Sequence, residues 1–166
     1  MTPCSELKEL FFKRIEKDRS FFNYFRIEDE ESVMQIANER ADTYLKEAVS
    51  RIMFECLPSV DFSLVEDEDG NLLLNCDATY QEKFLIVSLM FEQYLYRDIA
   101  YLKCLNVNYT STDLRVFDPS NARASFMNMY LAVCEQNKEL IDNYKNTNRD
   151  TGKLRSLNFS DYDTVE

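Results

Sequence analysis

The stretch from Asp77 to Cys104 leaves this chain few folds to choose from. From Phe84 to Phe91 every residue is apolar except Ser88. A helix that is apolar all round has to be enclosed by protein. The run is shorter than the roughly 18 apolar residues a membrane span needs, and its flanks are charged. Asp77 or Thr79 offers a side-chain oxygen to the unpaired N–H groups of the helix start. Glu82 follows Thr79 at the capping-box spacing. At about 1.5 Å per residue such a helix is roughly 40 Å long. The rest of the chain is expected to pack around it.

The flanking segments fit that requirement. Thr2-Pro3 reads as a cap followed by a proline in the first helical position. Leu7, Leu10, Phe11, Arg14 and Ile15 continue at helical spacing, and this first helix should end near Asp18 to Ser20. Phe21, Phe22, Tyr24, Phe25 and Ile27 form an aromatic connector suited to seating that helix on the core. The acids Glu28 to Glu31 suit the positive end of a helix dipole. A stripe follows at steps of three and four: Val33, Ile36, Ala37, Ala41, Tyr44, Leu45, Ala48, Ile52, Met53 and Cys56. Glu39, Arg40, Asp42, Lys46, Glu47 and Arg51 occupy the opposite face, and Pro58 stops the helix.

Between Val60 and Cys76 the period changes. Val60 to Leu64 alternates apolar and polar, Leu72 to Leu74 is apolar, and Asp69-Gly70 lies between them. That is the pattern of a β-hairpin or an ordered turn. Its acidic tip, Glu66-Asp67-Glu68-Asp69, invites a calcium reading. In an EF-hand loop the glycine is the sixth residue, which would put Val65 first and Cys76 twelfth, where oxygen ligands are required. The match fails, and a solvated acidic turn is the better account. Beyond the central helix, Asn106 to Asp113 reads as a loop and Leu114 to Phe117 as a short extended piece or single turn. A last helix starts at Asp118-Pro119-Ser120. Its apolar face is Ala122, Phe126, Met129, Tyr130, Val133, Cys134, Leu140, Ile141 and Tyr144, with a gap at Asn137 that suggests a thinner buried stripe.

After Lys145 the helical signal stops. Asn146 to Gly152 has the composition of a linker, and Leu154, Leu157, Phe159, Tyr162 and Val165 are irregularly spaced among polar residues. Residues 1–146 are therefore expected as a helical domain and 147–166 as a C-terminal arm. Such an arm either frays or orders on a neighbouring subunit. The expected fold is mainly α: a helical bundle around a buried central helix, with a small acidic hairpin insertion and an extended arm.

Composition narrows the function. No histidine is present, which removes Ser-His-Asp and Cys-His catalysis and histidine metal sites. Two distant glycines cannot build a dinucleotide fingerprint or a P-loop. The five cysteines contain no C-x-x-C pair and fit a reducing compartment. Met1 to Glu9 is polar and leads into an amphipathic pattern, so no signal peptide is expected. The net charge of −11 repels nucleic acid. The same charge suits a channel through which DNA slides without sticking. No enzyme, cofactor, metal or membrane role is expected. The residues describe an acidic, helical interaction protein.

The order of elements goes further. An F-R-I-E-D-E-E helix entry at Phe25 to Glu31, an acidic turn and a buried helix come first. A Y-T-S-T-D-L-R-V-F-D-P-S segment from Tyr109 to Ser120 follows. It leads into a helix with A-S-F-M-N-M-Y and L-I-D-N-Y. From Phe25 to Tyr144 the chain resembles the helical head–tail connector, or adaptor, proteins of tailed bacteriophages. The resemblance rests on architecture and sequence character rather than on a diagnostic motif. It implies a homo-oligomeric, twelvefold ring beneath the portal, made in the host bacterial cytoplasm and built into the neck of the virion. It also implies contacts with the portal protein and with further neck or tail proteins, and DNA passing through the channel without specific binding. Leu154, Arg155, Leu157, Phe159 and Tyr162 would be partner-binding residues of the arm. Glu66, Asp67, Glu68 and Asp69, or Glu28 to Glu31, would face the channel. The competing reading is an acidic intracellular inhibitor that mimics DNA in a basic cleft.

Overall fold

The structure is a computed structural model, and the residues it describes are 1–15, 30–108 and 119–155. They form strand β1 (Thr2–Pro3), helix α1 (Cys4–Arg14), helix α2 (Glu30–Cys56) and strands β2 (Leu64–Glu66) and β3 (Leu72–Leu74). Helices α3 (Tyr80–Asn108) and α4 (Pro119–Asn146) complete them. The fold is mainly α with a small three-stranded antiparallel sheet. Helix α3 is the hub and packs against α1, α2 and α4. Its residues Leu85 to Met90 are buried without interruption, as an all-round apolar helix requires.

Around α3 the amphipathic stripes lie inward. Leu7, Phe11, Phe12 and Ile15 come from the α1 segment, and Ala37, Ala41, Tyr44, Leu45, Ala48 and Ile52 from α2. Phe11 meets the rings of Tyr44 and Tyr94 edge-on at 5.9 and 6.1 Å, a preferred geometry for aromatic pairs. Met53 and Met129, placed on buried stripes by spacing, are exposed, and Val49 is buried in addition. Arg51 departs from the charged outer face assigned to it. It bridges Glu55 at 2.7 Å and Glu92 of α3 at 2.8 Å. The gap at Asn137 is filled rather than thin. Asn137 is 1% exposed, and its amide donates to the Ser88 carbonyl at 3.1 Å and to Glu92 Oε2 at 2.7 Å. A buried polar group needs such partners, and here α3 supplies both.

The hairpin forms about Asp67 to Gly70. Leu64 pairs with Leu74, Val65 with Leu73 and Glu66 with Leu72. The extended strand lies at 64–66 rather than at 60–64, and Phe62 is wholly buried ahead of it. Gly70 has φ +77, a conformation open to glycine but strained for other residues. The Asp67 carboxylate accepts from the N–H groups of Asp69 and Asn71, which holds it below the ordinary aspartate range.

Thr2-Pro3 does not open the first helix. It is the third strand, with Thr2 opposite Leu74 and Pro3 opposite Leu73. Pro3 instead occupies the N-cap position, without a side-chain cap. The Thr2 hydroxyl is used elsewhere and accepts from the Ala78 N–H at 2.8 Å. Helix α1 ends at Arg14, earlier than its periodicity suggested, with the Ile15 N–H donating to the Phe11 carbonyl. The aromatic connector, Glu28, Asp29 and the segment 109–118 lie outside the described residues.

Candidate functional site

The first turn of α3 carries the capping box its spacing indicates. The Thr79 N–H donates to Glu82 Oε2 at 2.7 Å, and the Glu82 N–H to Thr79 Oγ1 at 3.3 Å. The Glu82 side chain, however, is 0% exposed, and further donors converge on it. The Tyr144 hydroxyl of α4 donates to Oε1 at 2.9 Å. The Arg149 guanidinium donates to Oε1 at 2.8 Å and Oε2 at 3.2 Å, and also to the Asp77 carbonyl. Burial alone would raise the pKa of this carboxyl. The donors outweigh burial and hold it below the usual glutamate range. Burial, reinforced by the bond to Glu82, pushes the Tyr144 hydroxyl well above the usual tyrosine range.

Arg149 belongs to the segment expected as the beginning of the arm. Residues 147–155 form a compact turn. Asn148 Oδ1 accepts from the Asp150 and Thr151 N–H groups, and the Asn148 N–H donates to the Lys153 carbonyl at 2.8 Å. Thr147 and Leu154 make an antiparallel bridge, and the Arg155 N–H donates to the Asn146 carbonyl at 2.7 Å. Gly152 supplies the left-handed backbone, at φ +64. The arm thus starts from a turn that Arg149 attaches to α3. Leu154 is 77% exposed there and Arg155 is exposed. Leu157, Phe159 and Tyr162 lie outside the described residues.

Beside this junction, Tyr80 and Phe84 project from α3 as an apolar ridge, 85% and 43% exposed. A groove runs along each side of it. One, of about 320 Å³, lies toward Leu140 and Tyr144 of α4 and reaches Thr147 and Gly152 of the turn. The other, of about 440 Å³, lies toward Leu10 and Arg14 of α1, with Lys83 and Val87 in its wall. Lys83 bonds both carboxylate oxygens of Glu6 at 2.8 and 2.9 Å. Arg14 bonds the Ser88 hydroxyl at 2.8 Å and lies 4.8 Å from the Phe91 ring centroid. No carboxylate pairs with Arg14 among the described residues. Two grooves sharing an aromatic ridge, one with a guanidinium in its wall, can hold an extended or helical peptide by apolar contact and one ionic anchor.

Of the residues singled out in the sequence, Leu154 and Arg155 lie on the turn that closes back on Asn146 and Thr147 at the end of α4. The hairpin acids line neither groove. Glu66, Glu68 and Asp69 are exposed on the hairpin, whereas Asp67 is engaged in the turn. Glu31 is exposed, and Glu30 opens α2. Sequence reasoning missed Arg149 and the grooves. A lone arginine in a linker carries no signal, but an acid within reach of the apolar run did carry one. Glu82 sits two residues before Phe84 on an otherwise apolar face, and such an acid needs a partner when buried.

Four of the five thiols, those of Cys4, Cys56, Cys76 and Cys134, are described. Burial pushes Cys4 up to about 11 and raises Cys56, Cys76 and Cys134, so all four stay protonated at neutral pH. Among the described residues no acid or cysteine cluster could hold a metal ion, and no helix is long and apolar enough to cross a membrane. Comparison with protein-family models found no matching family, and searches of curated proteins and of solved structures found no match.

Proposed function

We propose that this chain is a structural subunit of the neck of a tailed bacteriophage. Copies form a ring beneath the portal, the arm beyond Arg155 reaches the portal or an adjacent copy, and the acidic hairpin faces the DNA channel. The observation that supports this reading most is the placement of charge. Glu66, Glu68 and Asp69 stand exposed on a hairpin whose turn is held by Asp67 and Gly70. Carboxylates on a stiff projection repel phosphate at a fixed position, which a lining for sliding DNA requires. The bundle around α3 then serves as scaffold.

The test is on particles. The chain is expected to co-purify with virions, and a chain ending at Arg155 to lose incorporation. The cut has to fall there because removing Arg149 would strand the buried Glu82 carboxylate. Exchanging Glu66, Glu68 and Asp69 for lysine should slow genome packaging or ejection. Absence from particles, with salt-sensitive competition against duplex DNA for a basic protein, would replace the ring with the DNA-mimic reading.

A further inference from the structure

We propose that the groove between α1 and α3 is a docking site for the chain's own residues 156–166. The groove is lined by the apolar side chains of Leu10, Tyr80, Phe84 and Val87, with the Glu6–Lys83 pair and Arg14 in its wall, so Arg14 is the cation left to meet an anion there. Arg14 is a guanidinium with no carboxylate partner among the described residues, in a chain of net charge −11. Its proton is less firmly held than in water because burial removes solvent, and no described anion offsets that loss. A carboxylate brought to it would supply that compensation and a charge-assisted bond.

The segment 156–166 carries the complementary chemistry. Leu157, Phe159, Tyr162 and Val165 are apolar or aromatic, Asp161, Asp163 and Glu166 are acids, and there is no base. An acid directly before and after Tyr162 lets the ring enter the groove while a carboxylate meets Arg14. The point of departure fits as well. The described chain leaves at Arg155 from the turn whose Thr147 and Gly152 edge the other groove, and the two grooves share Tyr80 and Phe84. Eleven further residues extend to about 36 Å at roughly 3.3 Å each. Tyr80 to Val87 spans only about 10 Å of helix at roughly 1.5 Å per residue. The segment is long enough to cross the ridge and run the length of the groove. The contact is that of the free chain before assembly, when no portal or adjacent copy competes for the segment, so its test on the isolated protein stands or falls separately from the neck reading.

The experiment uses the full-length chain with the photo-crosslinking amino acid benzoylphenylalanine in place of Phe159. Irradiation is expected to give a band at monomer mass, with the crosslink mapped by mass spectrometry to Leu10–Arg14 or Tyr80–Val87. In Leu10→Glu and, separately, Arg14→Gln backgrounds the yield at those sites should fall by about tenfold, equivalent to roughly 1.4 kcal/mol. Leu10 is partly exposed, so its variant leaves the core intact, and circular dichroism checks both folds. Crosslinks elsewhere on the chain, a band at dimer mass that grows with concentration, or a yield unmoved in folded variants would each overturn the proposal.

Discussion

Removing the Arg149 side chain tests the junction at the start of α3 most directly. The Glu82 carboxylate accepts four hydrogen bonds, from the Thr79 N–H, the Tyr144 hydroxyl and twice from Arg149. Arg149→Ala removes two of them and the bonded cation. Breaking a buried ion pair costs about 3–5 kcal/mol when one charge is left alone. A bond to a charged group contributes about 1.5–3 kcal/mol. Two neutral donors remain on Glu82 and Arg149 is partly exposed, so a loss of about 2–3 kcal/mol is expected. For a chain of this size that lowers Tm by about 5–10 °C. Urea unfolding followed by circular dichroism measures it, and adding Glu82→Gln should show a coupling of at least about 1.5 kcal/mol. A loss under about 0.5 kcal/mol for Arg149→Ala would refute the attachment of the turn through this pair.

The same variant has a pH signature. In the native chain the Glu82 carboxyl lies below its unfolded value, so its contribution is present above the unfolded range, near 4.3. That contribution is lost as pH falls through the lower folded value. Without Arg149, burial dominates and the carboxyl rises above the unfolded value, so the variant instead gains relative stability on acidification. The gap between the two proteins should be widest near pH 7 and close as the solution becomes more acid than about pH 4. A gap that stays constant over that range would show that the loss comes from packing and not from charge.

Two further substitutions probe separate features. Asn137→Leu strips the Ser88 carbonyl and Glu92 of a buried donor, and unfolding should show a loss of about 1–3 kcal/mol despite the added apolar area; a gain would mean the amide is dispensable. Leu57 ends α2 at φ +45 with its side chain exposed, so Leu57→Gly should raise stability by up to about 1 kcal/mol in the same assay, because glycine adopts that backbone without the steric penalty.

The parts legible in the sequence were those set by periodicity and local chemistry. Leu85 to Met90 declared a buried helix, Asp69-Gly70 declared the hairpin, and Thr79 with Glu82 declared the capping box. What escaped was set by pairing between distant segments. Thr2-Pro3 has the local signature of a helix start, yet pairing with β3 and the Ala78 N–H outweighs it. Arg51 looked like one more charge on a wet face until Glu92 of α3 came to lie opposite it. The candidate site was hardly legible, because Leu10, Arg14, Tyr80 and Phe84 form a groove only once α1 is laid on α3.

The same pairings explain why the two projecting features share one base. Thr2 holds the Ala78 N–H, Glu6 holds Lys83, and Arg149 holds both Glu82 and the Asp77 carbonyl. All these contacts fall between Asp77 and Lys83, directly after β3 delivers the hairpin into α3. Hairpin and tail turn are therefore tied to one short stretch of backbone, and that stretch opens the most deeply buried helix. Local opening at Glu82 has to release the tail turn and loosen the hairpin exit together. Hydrogen exchange at Asn75, Ala78 and Asn148 would then accelerate as a group in Arg149→Ala, whereas amides in Leu85 to Met90 would change only as global stability does. The apolar stretch that dictates the fold is buried in its middle, and both projecting features are anchored at its first turn.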